Sequence, residues 1–504
     1  MRSWWQDAVV YQVYPRSFAD ANGDGIGDLP GLRRRLDYLE WLGVDALWLS
    51  PFYPSPMADF GYDVSDYCDV DPVFGTLEDF DALVRDAHAR GFRVLIDWVP
   101  NHTSSEHAWF AESRRSRDSP KREWYVWRDG RDGGPPNNWR SAFGGPAWTW
   151  DAGTAQWYLH LFLTEQPDLN WSNPAVVAAM HDVLRFWLER DVDGFRVDVV
   201  HLIGKDPLFP DQEHELGEVG RFRVHDDPKT HELIRGLRSV LDEFGHDRIL
   251  VGEVSLRDTL RISAYYGAGE GLHLAFNFLS LDVPWSAADW KALVSAVGRD
   301  LGVGAWPTWV LSNHDNSRHR TRYGGTEAVA RAAAVLLLGL RGTPFLFQGE
   351  ELGLADAVVS GRDPGGRDPC RAPIPWNSGW PHGWAARPWL PLPPEASERA
   401  VDRQAQDPAS VACLYRDLLR LRRSSSALRG GTLELLEAPE DVLCHVRAAE
   451  DGDIRVVAVN FAAERRRLEA IDGRRVDVSS VPGRAVDSDG TLLPNEAVVT
   501  SACS

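Results

Sequence analysis

The chain has 504 residues, with 74 acidic against 54 basic side chains and a formal net charge of −20. An acidic excess of that size, uninterrupted by any long basic run, excludes a nucleic-acid footprint and favours a neutral or cationic ligand. The opening MRSWWQDAVVYQVYP lacks the apolar core and cleavage site of a signal peptide, no apolar run reaches membrane-spanning length, and Cys68, Cys370, Cys413, Cys444 and Cys503 form no Cys-x-x-Cys pair. A cytoplasmic protein with reduced thiols and no membrane partner is expected.

In chain order, eight short β-branched or apolar runs read as strands: Val9–Val13, Ala46–Leu49, Arg93–Trp98, Gly194–Asp198, Ile249–Val254, His273–Phe278, Thr308–Leu311 and Pro344–Gln348. Amphipathic helical patterns follow most of them. Eight β/α repeats over roughly 400 residues predict a closed (β/α)8 TIM barrel rather than an open doubly wound sheet. Between the third and fourth strands lies an interruption from Thr103 to Asn173, too long for a βα loop and therefore read as an inserted subdomain. It holds eight of the 22 tryptophans, which suggests an aromatic ligand wall over the barrel mouth. After LYRDLLRLRRSSSAL the pattern turns to strands and turns. The predicted organisation is a barrel over 1–102 and 174–429, an insert over 103–173 and a C-terminal antiparallel β domain over 430–504.

The fourth strand, GFRVDVVHL, carries Arg196 and Asp198 on one face and Phe195, Val197 and Val199 on the other, so the charged pair is expected to point into the barrel. Other strand ends repeat the pattern. LIDWVPNHTS presents Asp97, Asn101 and His102, LVGEV presents Glu253, and LSNHDNSR presents His314 and Asp315. Carboxylates converging from several strands at a C-terminal barrel face, without clustered Cys or His, point away from zinc hydrolysis and toward chemistry at an acetal carbon. Neither a Gly-x-Ser-x-Gly elbow nor a phosphate-binding Gly-x-x-x-x-Gly-Lys loop is present.

In order and spacing, DWVPNH, GFRVDVVH, GEV and SNHD resemble the four ordered motifs of the α-amylase family of retaining glycosidases, and QPDLNW at 166–171 resembles its insert motif. The resemblance implies Asp198 as nucleophile, Glu253 as general acid and base, and Asp315 as the carboxylate gripping sugar hydroxyls. It further implies that Arg196 keeps Asp198 ionised, that Asp97 braces Arg196, and that His102 and His314 bond the sugar. The apolar run before Glu253 predicts a raised pKa there. Retention requires carboxyl groups ~5–5.5 Å apart.

PFYPSPMADFGYDVSDY adds Asp59 and Tyr62, which resemble the terminal-glucose pair of exo-acting α-glucosidases, and GRDPCRAPIPW adds Arg367, which would close the pocket. Phe143 and Phe162 lie in segments resembling the insert's pocket wall. Val199 after the nucleophile accompanies α-1,6 preference in related enzymes, yet the residues that follow depart from the oligo-1,6-glucosidase pattern. The expectation is an exo-acting α-glucosidase on short oligosaccharides, maltose-type linkages favoured and α-1,6 open, with transglucosylation or a trehalose-synthase or sucrose-isomerase type reaction as the alternative. Whether it acts as a monomer or a homo-oligomer is left open. No cofactor is expected for catalysis. DANGDGIGD at 20–28 matches the first half of an EF-hand loop, with Asp20, Asn22, Asp24, the Ile26 carbonyl and Asp28 as candidate ligands for a structural Ca2+ or Mg2+, although Gly31 replaces the twelfth-position glutamate.

Overall fold

A computed structural model describes residues 2–212, 226–302, 304–360 and 363–503. Eight parallel strands form its central sheet: β1 (Val10–Val13), β2 (Ala46–Leu49), β3 (Arg93–Trp98), β7 (Gly194–Val197), β8 (Ile249–Gly252), β9 (Leu274–Ala275), β10 (Thr308–Val310) and β11 (Thr343–Phe347). Between β3 and β7 lie the short strands β4 (Trp127–Arg128), β5 (Trp148–Asp151) and β6 (Gln156–Leu159), an antiparallel sheet of their own. The central order β10-β11-β1-β2-β3-β7-β8-β9 leaves one seam, bridged by a side chain: the Thr308 hydroxyl donates to the Ala275 carbonyl (2.7 Å) and accepts from the Asn277 amide (3.1 Å). This bridge also explains why β9 is shorter than the expected His273–Phe278, because the Asn277 amide turns to a hydroxyl instead of a neighbouring strand.

Strand alternation sorts the core into two layers. Tyr11, Leu47, Val94, Ile96, Phe195, Val197 and Leu250 pack outward with the surrounding helices, while Val10, Ala46, Trp48, Leu95, Ile249, Val251, Leu274 and Phe345 fill the lumen. Inward positions change character along three adjacent strands, β3, β7 and β8. Leu95 is followed on the same face by Asp97, Gly194 by Arg196, and Val251 by Glu253, so the apolar plug occupies the N-terminal half and charge collects at the C-terminal mouth. Gly194 is demanded by close approach, since a Cβ there would lie 2.2 Å from the Ile249 carbonyl oxygen of the neighbouring strand.

The insert rests on the segment immediately after Asp198. Val126, Trp139, Trp148, Leu159 and Leu161 form one cluster with Val199, Leu202 and Phe209. Four of the insert's eight tryptophans, Trp127, Trp139, Trp148 and Trp171, are buried and pack the insert and its seat on the barrel, as large aromatic surfaces do when a small lobe needs a core, whereas Trp150 is exposed.

At the C-terminal end, β12 (Thr432–Leu435), β13 (Val442–Ala448), β14 (Ile454–Asn460), β15 (Arg466–Ser479), β16 (Asp487–Leu492) and β17 (Ala497–Ser501) make an antiparallel sheet in the order β12-β13-β14-β17-β15-β16. Val457, Val459 and Val499 face the barrel's helical layer, and Val456, Ala458 and Val498 face the sheet's other side. Gly339, ending the helix Glu327–Gly339, lets that helix approach closely, for a Cβ would meet Val457 at 2.8 Å. All five cysteines are unpaired, and no helix among the described residues is long and apolar enough to cross a membrane.

Candidate active site

Arg196 is the hub of the mouth. Register places it beside Asp97, their strands pairing Asp97 with Arg196 directly. Its guanidinium reaches Asp97 Oδ1 (2.8 Å) and Asp198 Oδ1 (2.6 Å) through Nη1 and Glu253 Oε2 (2.7 Å) through Nη2, with only 2% of the residue exposed. One buried cation therefore serves three carboxylates. Arg196 acts on Asp198 in the expected sense, but its charge is divided. Burial drives the Asp198 carboxyl well above its ordinary value, Glu253 and Asp97 push the same way, and Arg196 opposes them. Burial likewise raises Asp97, to about 6, against the pull of Arg196. Glu253 is not in the apolar surround that the preceding run implies: it accepts from Arg196 and from the Val199 amide (3.0 Å), with the Ser255 hydroxyl 3.4 Å away. Val199 adopts a left-handed backbone (φ 34°), a costly conformation for a β-branched residue, and its amide bonds Glu253 from that conformation.

A second network closes the opposite side. Gln12 donates to His314 Nδ1 (2.7 Å), which places the imidazole proton on Nε2, beside the Tyr62 hydroxyl (2.6 Å) and Asp315 Oδ2 (3.2 Å). Tyr62 donates onward to Asp97 Oδ2 (3.1 Å), and its ring stacks on His314 at 5.3 Å with planes 6° apart. Burial lowers His314 to about 3, so the ring stays neutral. Burial would raise Asp315, but His314, Arg367 and Arg371 more than reverse it and hold the carboxyl below the usual range.

Arg367 bridges the pocket's far wall. It bonds Asp59, Asp315 (3.3 Å) and Asp363 (2.6 Å) and lies over the Phe143 ring at 5.4 Å. Phe143 meets Phe162 edge-on at 6.4 Å, and Phe162 meets His102 at 5.1 Å. The Gln166 amide completes the circuit, donating to Asp59 Oδ2 (3.0 Å) and lying 3.0 Å from His102 Nε2. Burial raises Asp59, with Arg367 opposing, and lowers His102 to about 4. The structure thus gathers Asp198, Glu253 and Asp315 with Asp59, Tyr62, His102, Phe143, Phe162, Arg196, His314 and Arg367 into one contact network.

Sequence reasoning passed over Gln166, Arg371 and Asp363. Arg371 bonds Asp315 Oδ1 (3.0 Å) and the His314 carbonyl (2.7 Å). Each had a signal in plain view: Gln166 opens QPDLNW, Arg371 sits one helical turn after Arg367, and Asp363 lies in the first of two Arg-Asp-Pro repeats. Asp168 of QPDLNW is fully buried, bonded to Lys205 (3.0 Å), Asn101 (3.3 Å) and the Leu161 amide (2.9 Å). It ties the insert to the mouth.

The Asp/Asn-rich loop after β1 has hard oxygen donors in the expected order, each engaged by backbone. Asp20 accepts from the Gly23 and Gly25 amides, Asn22 from Asp24, Asp24 from Ile26, and Asp28 from Ala21, Asn22 and Gly31. Among the described residues no group of three or more His, Cys, Asp or Glu converges as a cation site.

The alpha-amylase catalytic-domain family model matches residues 12–431. A probable alpha-glucosidase of Rhizobium meliloti is 45% identical over 94% of this chain and 93% of its own length. An oligo-1,6-glucosidase of Parageobacillus thermoglucosidasius is 37% identical over 92% and 91%. Among solved structures, an alpha-glucosyl transfer enzyme superposes with a TM-score of 0.94 at 41% identity, covering all of both chains. A trehalulose synthase of Pseudomonas mesoacidophila gives 0.92 at 35% identity, covering 99% of this chain and all of the other.

Proposed function

The chain belongs to the α-amylase family and is a glycoside hydrolase, and from that premise we propose that it is a retaining, exo-acting α-glucosidase that releases glucose from the non-reducing end of short α-glucosides. The observation that carries the exo reading is the far wall, where Arg367 joins Asp59, Asp315 and Asp363 across the pocket; such a bridge would stop a chain from continuing beyond one sugar. Maltose-type linkages are favoured, with α-1,6 linkages open.

In this reading Asp315 and His314 grip the hydroxyls of the terminal ring, and Asp198 attacks the anomeric carbon as Glu253 gives its proton to the departing oxygen. The C–O bond to the leaving sugar breaks while a C–O bond to Asp198 forms. Glu253, now a carboxylate, takes a proton from incoming water, which cleaves the ester and restores both groups. Growing positive charge at the anomeric carbon favours the anionic form of Asp198, the form that the empty pocket resists. Substituting a sugar hydroxyl for water gives transglucosylation, and readmitting the released sugar at a different hydroxyl gives isomerisation. The likeness to a glucosyl transfer enzyme and a trehalulose synthase favours testing both.

A time course with maltose, isomaltose, sucrose and soluble starch tests this, resolving every product and the anomer first released. Rapid α-glucose from one disaccharide with little action on starch supports the reading. β-Glucose as first product overturns retention, and a new disaccharide ahead of glucose moves the assignment to an isomerase.

The proposal extends to the loop at 20–28, where Asp20, Asn22, Asp24, the Ile26 carbonyl and Asp28 supply the oxygens that Ca2+ or Mg2+ takes. A bound ion there would add stability and stand apart from the reaction. Added Ca2+ is expected to raise Tm saturably, and Asp24→Ala to abolish the rise. An unmoved Tm would leave the loop a metal-free run of Asx turns. The free thiols support a cytoplasmic setting.

A further inference from the structure

At the end of the barrel opposite the carboxylates, a cavity of about 250 Å³ opens between the N-terminal ends of β1, β2 and β3 and the helices Val411–Ser424 and Ser426–Gly430. Four arginines, Arg93, Arg422, Arg423 and Arg429, and two aspartates, Asp7 and Asp45, line it. The aspartates are already engaged. Asp45 pairs with Arg423 (2.9 Å) and accepts from the Val9 amide (2.9 Å), and Asp7 pairs with Arg2 (3.0 Å). Arg93 is matched by Asp193 (2.7 Å).

Arg422 and Arg429 are different. Among the described residues neither has a carboxylate within ion-pairing distance. Arg422 is 1% exposed and its two Nη atoms are held by the Leu338, Leu340 and Gly342 carbonyls. Those neutral partners fix the guanidinium in place without cancelling its charge. Arg429 lends its carbonyl to Arg2, while its own Nε is buried without an acceptor. Four arginines against two aspartates therefore leave one open cavity with an excess of positive charge on a molecule whose net charge is −20, where a basic cavity stands out against the surrounding field. Burial lowers Arg422 to about 10, with Asp45 and Asp7 across the cavity opposing and Arg2 and Arg429 adding to the fall.

We infer that this cavity is a binding site for a phosphoryl dianion, as inorganic phosphate or as the monoester group of a small metabolite. Two negative charges on a tetrahedral group balance the excess: Arg422, its Nη atoms taken by carbonyls, supplies charge, and Arg429 supplies the guanidinium fork that matches phosphate oxygens. The volume exceeds that of the bare anion, and Trp4, Val9 and Leu419 give the remainder an apolar lining that accommodates the carbon skeleton of an ester. The site lies at the far end of the barrel from the sugar pocket, so its occupant does not compete with the glucoside.

The test measures thermal unfolding at constant ionic strength with inorganic phosphate replacing chloride, for the wild type and for Arg429→Gln. The expected result is a saturable rise in Tm in the wild type, an apparent affinity at least tenfold weaker in Arg429→Gln, and equal glucosidase turnover in both. Arg423→Gln, changed at a side chain 60% exposed, repeats the comparison should Arg429→Gln fold poorly. A shift reproduced by chloride, no saturable shift, or an undiminished shift in the variants would overturn the assignment. Glycerol phosphate in a parallel titration separates the sources: tighter saturation than by phosphate assigns the ester, and weaker saturation assigns the free anion.

Discussion

Arg196 holds three acids with one positive charge, which makes the mouth sensitive to single substitutions. Asp198→Asn is expected to lower turnover by about 10⁴-fold or more with an unchanged circular dichroism spectrum, the scale of losing a nucleophile. Substantial activity in a pure, folded variant would remove Asp198 from that role. Glu253→Gln should retain most attack on a glucoside with a good leaving group, which needs no proton, while losing ordinary disaccharides, so equal losses on both would contradict its acid role. Arg367→Gln opens the far wall and leaves Asp59 and Asp363 without their main cation. A KM for maltose raised on the order of 10–100-fold is expected, with starch less affected, since the proposed reading assigns the lost contacts to binding of the terminal sugar. An unchanged KM ratio between maltose and starch would refute Arg367 as the residue that closes the pocket. These residues were legible because strand parity and motif order marked them. The sharing of Arg196 was not, because which acids one guanidinium reaches depends on strand register and not on spacing along the chain.

The elements show how the site is mounted. On two strands the inward-facing positions run from apolar to charged within two residues, Leu95 to Asp97 and Val251 to Glu253, so the plug that stabilises the barrel also seats the acids. The eight barrel strands were readable from buried β-branched runs, which parallel strands covered on both faces require. The shortness of β9 was not readable, because a threonine from β10 ends it. The insert is latched by Asp168 and Lys205, both at least nine-tenths buried. Asp168→Ala would strand the Lys205 ammonium in the interior, a loss of about 3–5 kcal/mol and a fall in Tm on the order of 10 °C. Lys205→Met with Asp168→Leu, which removes both charges, should recover much of that stability. If the single variant keeps its Tm, the latch contributes little. The insert's tryptophans illustrate the limit of composition: aromatic content announces a need for packing or for a ligand, and only burial tells the two apart.

At the scale of the molecule, burial has left a group of histidines neutral. His102 and His107 are lowered to about 4, and His273, His314, His319 and His445 to about 3, in each case by burial foremost. Each binds its proton more readily unfolded, near 6.5, than folded. Between pH 6.5 and 4 the unfolded chain takes up more protons, and stability falls as pH falls. Glu350, raised to about 8 by burial, acts in the opposite sense: the unfolded carboxyl ionises first, and stability is lost as pH rises from about 4.5 to 8. Asp28, Asp59, Asp63, Asp97, Asp198 and Glu351, also raised by burial, act in the same sense as Glu350 and offset part of the histidine effect. His445, buried in the C-terminal sheet far from these acids, isolates the histidine contribution: His445→Gln should make the urea midpoint fall less between pH 6.5 and 4 than in the wild type, and an identical fall would show that this ring is hydrated in solution.

The sequence by itself determined the barrel, the insert's place after β3, the family and which acids gather at the barrel's mouth, because all of these follow from local periodicity and from ordered motifs read along the chain. Tertiary structure alone decided the rest. It set the division of one arginine among three carboxylates, the wall made by Arg367 with Asp59 and Asp363, and the pairing of Asp168 with Lys205. Among the described residues it also left Arg422 and Arg429 without a carboxylate at ion-pairing distance at the barrel's far end. The reason is physical: a side chain's charge state and partners are fixed by what the fold places within a few ångströms, and those neighbours come from strands and loops hundreds of residues apart.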